Sequence, residues 1–169
     1  MLSEDDGKYL LSVAKDAIET YVKENRKIDT PSDCPDYMYE ELGVFVTLNK
    51  NNNLRGCIGY PEPVYPLIDA VIDSAISAAM RDPRFPSVDE SELDSLDYEI
   101  TVLTKPQIIE VEKPIDYLEN ITIGEDGLIA KARKEIKNLA EVETIEMTIA
   151  GKSTVENNRH LFWIVTGNE

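Results

Sequence analysis

The segment VFVTLNKNNNLRGCIGY, residues 44–60, consists of two strand-like runs joined by residues that favour a tight turn. The runs at residues 44–48 and 54–60 are rich in β-branched and other apolar side chains, which favour strands. Residues 49–53 between them include four asparagines, which tolerate left-handed backbone geometry. The segment therefore predicts a β-hairpin.

Helical patterns lie on both sides of the hairpin. Before it, Ser3 and Asp6 resemble a capping box, and apolar residues then recur at helical spacing to about residue 25. After it, residues 67–80 carry the clearest apolar stripe in the chain. This helix must end before Pro83, because a proline pushes the preceding residue out of the helical region.

The remaining segments are weaker but complete the fold class. Residues 29–43 predict a long loop, and residues 98–104 predict a strand. The residues that follow predict short elements: two strands around a turn at 121–130, a helix at 131–142, and strands at 145–149 and 161–165. Irregularly interspersed helices and locally paired strands predict an α+β protein with a mixed or antiparallel sheet.

The composition restricts the class of protein. The 169 residues are 42% apolar and carry a net charge of −16, and a chain of this size buries roughly 70% of its surface on folding. No apolar stretch approaches the ~20 residues of a membrane span. No basic stripe suits nucleic acid or an anionic membrane. With two cysteines and an acidic N-terminus, we expect a cytoplasmic protein with reduced thiols.

Neither a metal nor a cofactor is predicted. The single histidine, His160, has no cysteine or carboxylate at metal-ligand spacing. The glycines at 56 and 59 match neither nucleotide-binding fingerprint.

The hexapeptide LRGCIG, residues 54–59, is the densest chemical signal. Alternation along a regular strand places Arg55 and Cys57 on one face. A neighbouring guanidinium favours the thiolate form of a cysteine. Gly56 and Gly59 weaken a strand, so they indicate close backbone approach, a bulge or a ligand. The alternative is a buried structural cysteine, which is common.

The pentapeptide DPRFP, residues 82–86, follows the apolar helix. It ends that helix in a rigid turn. Arg84 and Phe85 also present a cation and an aromatic ring from this turn, so they are candidate ligand-binding residues.

These motifs together resemble the AMMECR1 family. The hexapeptide is preceded by FVTL at residues 45–48, and DPRFP is followed by ITVL at 100–103 and GEDGL at 124–128, in the family's order and spacing. The resemblance covers roughly residues 5–130. It implies an intracellular α+β fold of two unequal lobes, with the hexapeptide near the cleft between them. The family has no established activity, and genomic association implies Memo-like and radical-SAM proteins as partners.

The resemblance ends near residue 130, where the composition also changes. Residues 1–130 contain 11 basic and 27 acidic residues, whereas residues 131–169 contain six of each. The stretch KARKE at 131–135 stands where the family continues into a glycine-bearing strand and a leucine-rich stretch. We therefore divide the chain into an AMMECR1-like domain, residues 1–130, and residues 131–169. The latter are a divergent part of the same domain or a tail from an altered reading frame.

Two functions stay open on the sequence alone. The first is a binding or regulatory module in which Arg55, Gly56, Gly59, Arg84 and Phe85 form a groove for a small molecule, a peptide or a partner protein.

The second is a cysteine-dependent enzyme that acts on a small anionic or carbonyl substrate through Cys57, with Arg55 stabilising the thiolate. A thiol catalyst needs a base. Glu99 and Asp82 are the candidate carboxylates, but the sequence does not place either of them beside Cys57. The missing base favours the binding module.

Overall fold

A computed structural model of the chain describes residues 2–110, 113–122, 126–133, 144–155 and 164–166. The chain divides into two compact units. The first consists of residues 1–102 and 153–157, and the second of residues 103–152 and 158–169.

The first helix, α1 (Glu4–Glu24), begins at the predicted capping box. The Asp6 N–H donates to the Ser3 hydroxyl at 3.2 Å, and the Ser3 N–H donates to the Asp6 carboxylate at 2.7 Å. The box thus satisfies two donors at the helix start. Asn25 ends the helix in the left-handed conformation, with φ 51°, which asparagine tolerates.

The predicted hairpin consists of β1 (Gly43–Lys50) and β2 (Asn53–Tyr60), which pair antiparallel. Asn51 and Asn52 form its turn with φ of 52° and 61°, the left-handed geometry that two-residue hairpin turns require. The next strand, β3 (Leu96–Leu103), lies beside β1. In the first unit the order is therefore β2-β1-β3, and β2 lies at the edge of the described sheet.

The second helix, α2 (Leu67–Met80), has the predicted bounds and packs against α1, β1 and β2. It is buried around most of its circumference, as its largely apolar sequence requires. Val44, Val46 and Leu48 of β1 are fully buried in the same core. Each such side chain contributes roughly 1.5–3 kcal/mol of hydrophobic stabilisation.

The predicted loop at residues 29–43 contains a 3₁₀ helix, Asp36–Tyr39. Met38 of this helix is fully buried in the core. Next to it, Glu41 forms an isolated β-bridge with Pro66, and the Leu67 N–H donates to the Glu40 carbonyl at 2.9 Å. These contacts fix the loop to the start of α2.

The second unit contains four short or medium strands and one 3₁₀ helix among its described residues. In chain order the elements are β4 (Gln107–Ile108), the 3₁₀ helix Pro114–Glu119, β5 (Asp126–Arg133), β6 (Thr144–Val155) and β7 (Ile164–Thr166). The pairing is antiparallel between β5 and β6 and between β4 and β6, and parallel between β5 and β7. Helices and a mixed, mainly antiparallel set of strands confirm the predicted α+β class.

The predicted helix at residues 131–142 is wrong at its start. Lys131 and Arg133 belong to β5, where they pair with Glu146 and Thr144 of β6. Strand pairing overrides the helical propensity of these residues here. Residues 134–142 of the predicted helix, residues 123–125 of the predicted turn and residues 161–163 of the last predicted strand lie outside the described residues.

Gly56 provides a direct test of the packing between β2 and α2. A Cβ at this position would lie 2.2 Å from the Ala78 carbonyl oxygen, and this backbone atom cannot move unless the helix shifts. We predict that Gly56→Ala lowers the free energy of unfolding by about 3 kcal/mol or more. Urea unfolding monitored by circular dichroism measures the change, and an unaltered midpoint would contradict this packing.

Candidate functional site

The two sequence motifs meet at the main chain of Cys57. The Cys57 N–H donates to Asp82 Oδ2 at 2.9 Å, and the Cys57 carbonyl accepts from Arg84 Nη2 at 3.1 Å. Cys57 pairs with Thr47 of β1, and at this position of an antiparallel ladder the main-chain groups of β2 point away from β1. Asp82 and Arg84 thus satisfy the outer edge of β2 where a further strand would otherwise bind.

The Asp82 carboxylate is the centre of this contact. Its side chain is 1% exposed, and it accepts from the Arg84 N–H at 3.0 Å, from Arg84 Nε at 2.9 Å and from Arg84 Nη2 at 2.7 Å. The hydrogen bond from the Arg84 side chain, more than any other contact, lowers the pKa of Asp82 to about 2. The site therefore contains a fixed, buried negative charge at neutral pH.

Arg84 and Phe85 lie at the exposed side of the same turn. The Arg84 side chain is 45% exposed, although three of its hydrogen bonds go to Asp82 and Cys57. Its guanidinium carbon lies 5.5 Å from the centre of the Phe85 ring, within cation–π range. The predicted cation and aromatic ring are therefore brought together.

Arg55 is held elsewhere. Its Nε and Nη2 donate to the two carboxylate oxygens of Glu92 at 3.1 and 2.9 Å, and further bonds reach the carbonyls of Pro86 and Ser87 at 2.9 and 3.3 Å. The Arg55 side chain is only 12% exposed. Arg55 first and Lys50 second hold the pKa of the Glu92 carboxyl well below its usual range. Arg55 thus ties β2 to the 3₁₀ helix Glu90–Ser95 and to the DPRFP turn.

The sequence predicts that Arg55 and the Cys57 thiol share one face of the strand, and this prediction is wrong. Leu48 pairs with Gly56 and Asn49 with Leu54, so Arg55 is the extra residue of a β-bulge. A bulge breaks the alternation of faces on which the expectation rested. The arginine near the thiol is Arg84. Its charge lowers the pKa of Cys57, but burial of the thiol raises this pKa by more.

The Cys57 thiol is a buried group. Cys57 is 7% exposed, and its Sγ accepts a hydrogen bond from the Thr47 hydroxyl at 3.3 Å. Burial raises the pKa of the Cys57 thiol, and the hydrogen bond from Thr47 and the charge of Arg84 offset this only in part. The thiol is therefore protonated at neutral pH.

The two candidate bases do not activate this thiol. The negative charges of Asp82 and Glu99 both raise the pKa of Cys57 further. Asp82 is engaged by the DPRFP turn and by the Cys57 N–H, and Glu99 is a buried residue of β3.

The two glycines of the hexapeptide allow close backbone approach. Gly56 meets α2 at Ala78, and a Cβ on Gly59 would lie 2.1 Å from the Val44 carbonyl oxygen and 2.6 Å from the Phe45 ring. Both glycines therefore position the strand against its neighbours.

Thr47 and Glu92 are the residues that sequence reasoning missed. The pattern Asp89-x-x-Glu92 is a capping box, which the structure contains at the 3₁₀ helix Glu90–Ser95, so a signal for Glu92 existed. Thr47 follows from the hairpin register, which pairs it with Cys57.

Other kinds of site gain no support from the described part of the chain. Among these residues, no group of three or more histidine, cysteine or acidic side chains is placed to hold a metal ion. None of their helices is long and apolar enough to cross a membrane. His160 lies outside the described residues. The second unit has an open pocket of 390 Å³, lined by Thr104, Gln107, Ile108, Ile109, Glu110, Asn120 and Asp126.

The fold and this site define an α+β protein in which the DPRFP turn covers the outer edge of the hairpin by bonding to the main chain of LRGCIG. The model of the AMMECR1 family matches residues 11–148. A protein from Methanothermobacter thermautotrophicus is 54% identical over 130 residues, which cover 77% of this chain and 68% of that protein. Protein PH0010 from Pyrococcus horikoshii is 44% identical over 135 residues, which cover 77% and 65%. The chain belongs to the AMMECR1 family.

A solved structure supports the same assignment. The crystal structure of the uncharacterized protein PH0010 from Pyrococcus horikoshii matches with a TM-score of 0.80 and 35% sequence identity, over 90% of this chain and 92% of that one. The sequence matches themselves span 64–68% of the curated relatives. The division of this chain at residue 130 stays a prediction.

Asp82→Asn tests the contact at the centre of the site. The amide has only one acceptor oxygen and turns donors towards the Cys57 N–H or Arg84, so we predict a loss of about 2 kcal/mol in the free energy of unfolding near neutral pH. This is less than the loss of about 3–5 kcal/mol expected for a fully buried ion pair, since water screens the partly exposed Arg84.

The pH dependence has a definite sign. The folded-state pKa of Asp82 is about 2, below its ordinary 3.8, so the stabilisation is fully present above the ordinary value and is lost as the pH falls towards about 2. The difference in the free energy of unfolding between wild type and Asp82→Asn, measured with urea, must therefore become smaller over that range. The control Asp97→Asn changes an exposed residue of β3. Equal losses in both variants would contradict the role of Asp82.

Proposed function

We propose that this protein is a binding module, in which the DPRFP turn presents Arg84 and Phe85 to a ligand that carries an anionic group beside an apolar one. The observation that carries the proposal is the fixed pairing of a 45% exposed guanidinium with an aromatic ring 5.5 Å away. Guanidinium groups attract carboxylates and phosphates, and since Asp82 already holds Nε and Nη2 of Arg84, a ligand would meet the charge at the exposed part of this group. A group already held in place loses little conformational freedom on binding.

The other predicted binding residues support the turn indirectly. Arg55 bonds to the carbonyls of Pro86 and Ser87 at its end. Gly56 lets β2 approach α2, from whose end the turn starts. These residues position Arg84 and Phe85, and we do not expect them to touch the ligand.

The enzyme alternative has less support. A catalytic cysteine needs access and a lowered pKa, whereas Cys57 is buried and its pKa is raised. In the binding module Cys57 is present for its size and its main-chain groups. The Memo-like and radical-SAM partners that the family resemblance implies stay predictions.

The proposal is tested by nuclear magnetic resonance with ¹⁵N-labelled protein. Benzoate and phenyl phosphate serve as probes and are titrated into the millimolar range. We predict shift changes centred on the Arg84 Nε–H and the Phe85 amide. Arg84→Lys keeps the charge but loses the two bonds to Asp82 that hold the group beside Phe85, so its affinity should fall about tenfold. Phe85→Leu keeps an apolar side chain without a π-face, and its affinity should fall about threefold.

Cys57→Ser is the matched variant for the enzyme alternative. It should bind both probes within about twofold of wild type, because the thiol lies outside the proposed contact. Unchanged resonances at Arg84 and Phe85 would overturn the proposal. Loss of binding in Cys57→Ser, together with labelling of native Cys57 by chloroacetamide, would support the enzyme.

A further inference from the structure

A second surface of the first unit exposes aromatic and apolar side chains. Four large apolar residues keep 39–51% of their surface in contact with solvent: Tyr37, Tyr39, Val64 and Tyr65. Among the described residues, the other large apolar side chains of this kind are Ile108 and Leu118 of the second unit. Exposed apolar side chains that occur together in one place indicate an interaction site.

The two chain segments that carry these side chains are joined to each other through their main chains. Residues 36–41 and residues 60–66 are joined by the bridge between Glu41 and Pro66 and by the hydrogen bond from Leu67 to Glu40. We call this surface the Tyr65 patch and define it by Tyr37, Tyr39, Glu40, Glu41, Val64 and Tyr65.

The aromatic rings of the Tyr65 patch are held in place. The Tyr39 hydroxyl donates to the Pro31 carbonyl at 2.8 Å, and the Tyr37 hydroxyl donates to the Asp6 carboxylate. The Tyr65 ring packs edge-on against Tyr60, with 5.1 Å between the ring centres. A ligand therefore meets a rigid surface, which reduces the entropy lost on binding.

The charge around the patch is mainly negative, although Arg81 pairs with Asp73, whose carboxylate accepts a hydrogen bond from the Tyr60 ring that packs on Tyr65. Residues 28–49 and 56–80 contain eight acidic residues and neither lysine nor arginine. Glu40 and Glu41 are exposed and form no salt bridge within the described part of the chain. Tyrosine faces attract cations, and the stems of lysine and arginine cover apolar surface while their charged ends reach nearby carboxylates.

We infer that the Tyr65 patch docks an arginine- or lysine-rich segment of a partner protein. This surface consists of other residues than the Arg84 turn, so the inference goes beyond the proposed function. A second copy of the chain is disfavoured because each copy carries a net charge of −16, and pairing two acidic patches is repulsive. Nucleic acids and anionic membranes are repelled for the same reason.

The probe is a fluorescein-labelled nonapeptide of alternating glycine and arginine, with a counterpart that has glutamine for arginine. Fluorescence anisotropy measures both affinities at about 0.05 M and about 0.3 M salt, below and above the physiological ionic strength of about 0.15 M. We expect binding of the arginine peptide, weakened by salt, and none of the glutamine peptide.

Matched variants separate the patch from the overall negative charge. Tyr65→Ala keeps every charge, and we expect it to weaken binding about fivefold through the lost cation–π contact. Glu40→Gln with Glu41→Gln removes two charges at the patch and should weaken binding about tenfold. The control, Glu90→Gln with Asp94→Asn, removes two exposed charges in the 3₁₀ helix Glu90–Ser95.

The control should stay within about twofold of wild type. If it weakens binding as much as the patch variants do, the peptide responds to net charge alone and the inference is wrong. Absence of binding, or self-association of the protein that Tyr65→Ala abolishes, would also overturn it. All substituted residues are exposed, and circular dichroism checks that each variant is folded.

Discussion

The hydrogen bond from the Cys57 N–H to the Asp82 carboxylate is the contact on which the candidate site depends. It satisfies an edge strand whose outer main-chain groups would otherwise be open to another chain, and it fixes the start of the turn that holds Arg84. The carboxylate is nearly inaccessible to water and accepts four hydrogen bonds. With its pKa at about 2, it keeps this charge across the physiological range.

This contact changes how the family's cysteine hexapeptide is interpreted. Its distinctive residues all serve the packing of the first unit, since Arg55 binds Glu92, Gly56 admits α2, and Cys57 fills a buried position opposite Thr47. A residue with such a structural role can be indispensable without touching a ligand. The exposed residues that these contacts hold in place are the better candidates for function, which is why the proposal rests on the DPRFP turn.

The sequence predicts those parts of the fold that depend on local patterns. The hairpin follows from two β-rich runs around asparagines, and α2 follows from an apolar stripe ended by a proline. The partner of Arg55 lies 37 positions away, and no local rule identifies it. The bulge at Arg55 also depends on pairing with β1 rather than on the hexapeptide itself. At Lys131, pairing with β6 decides the structure against the helical spacing.

Native-state hydrogen exchange of the Cys57 amide tests the central contact most directly. This amide lies on the outer side of an edge strand, where Asp82 is its acceptor. The account predicts that it exchanges as slowly as the amides of the buried core, with protection that approaches the free energy of global unfolding. Exchange at the rate of an exposed edge amide would contradict it, and the two motifs would then be neighbours without being one site.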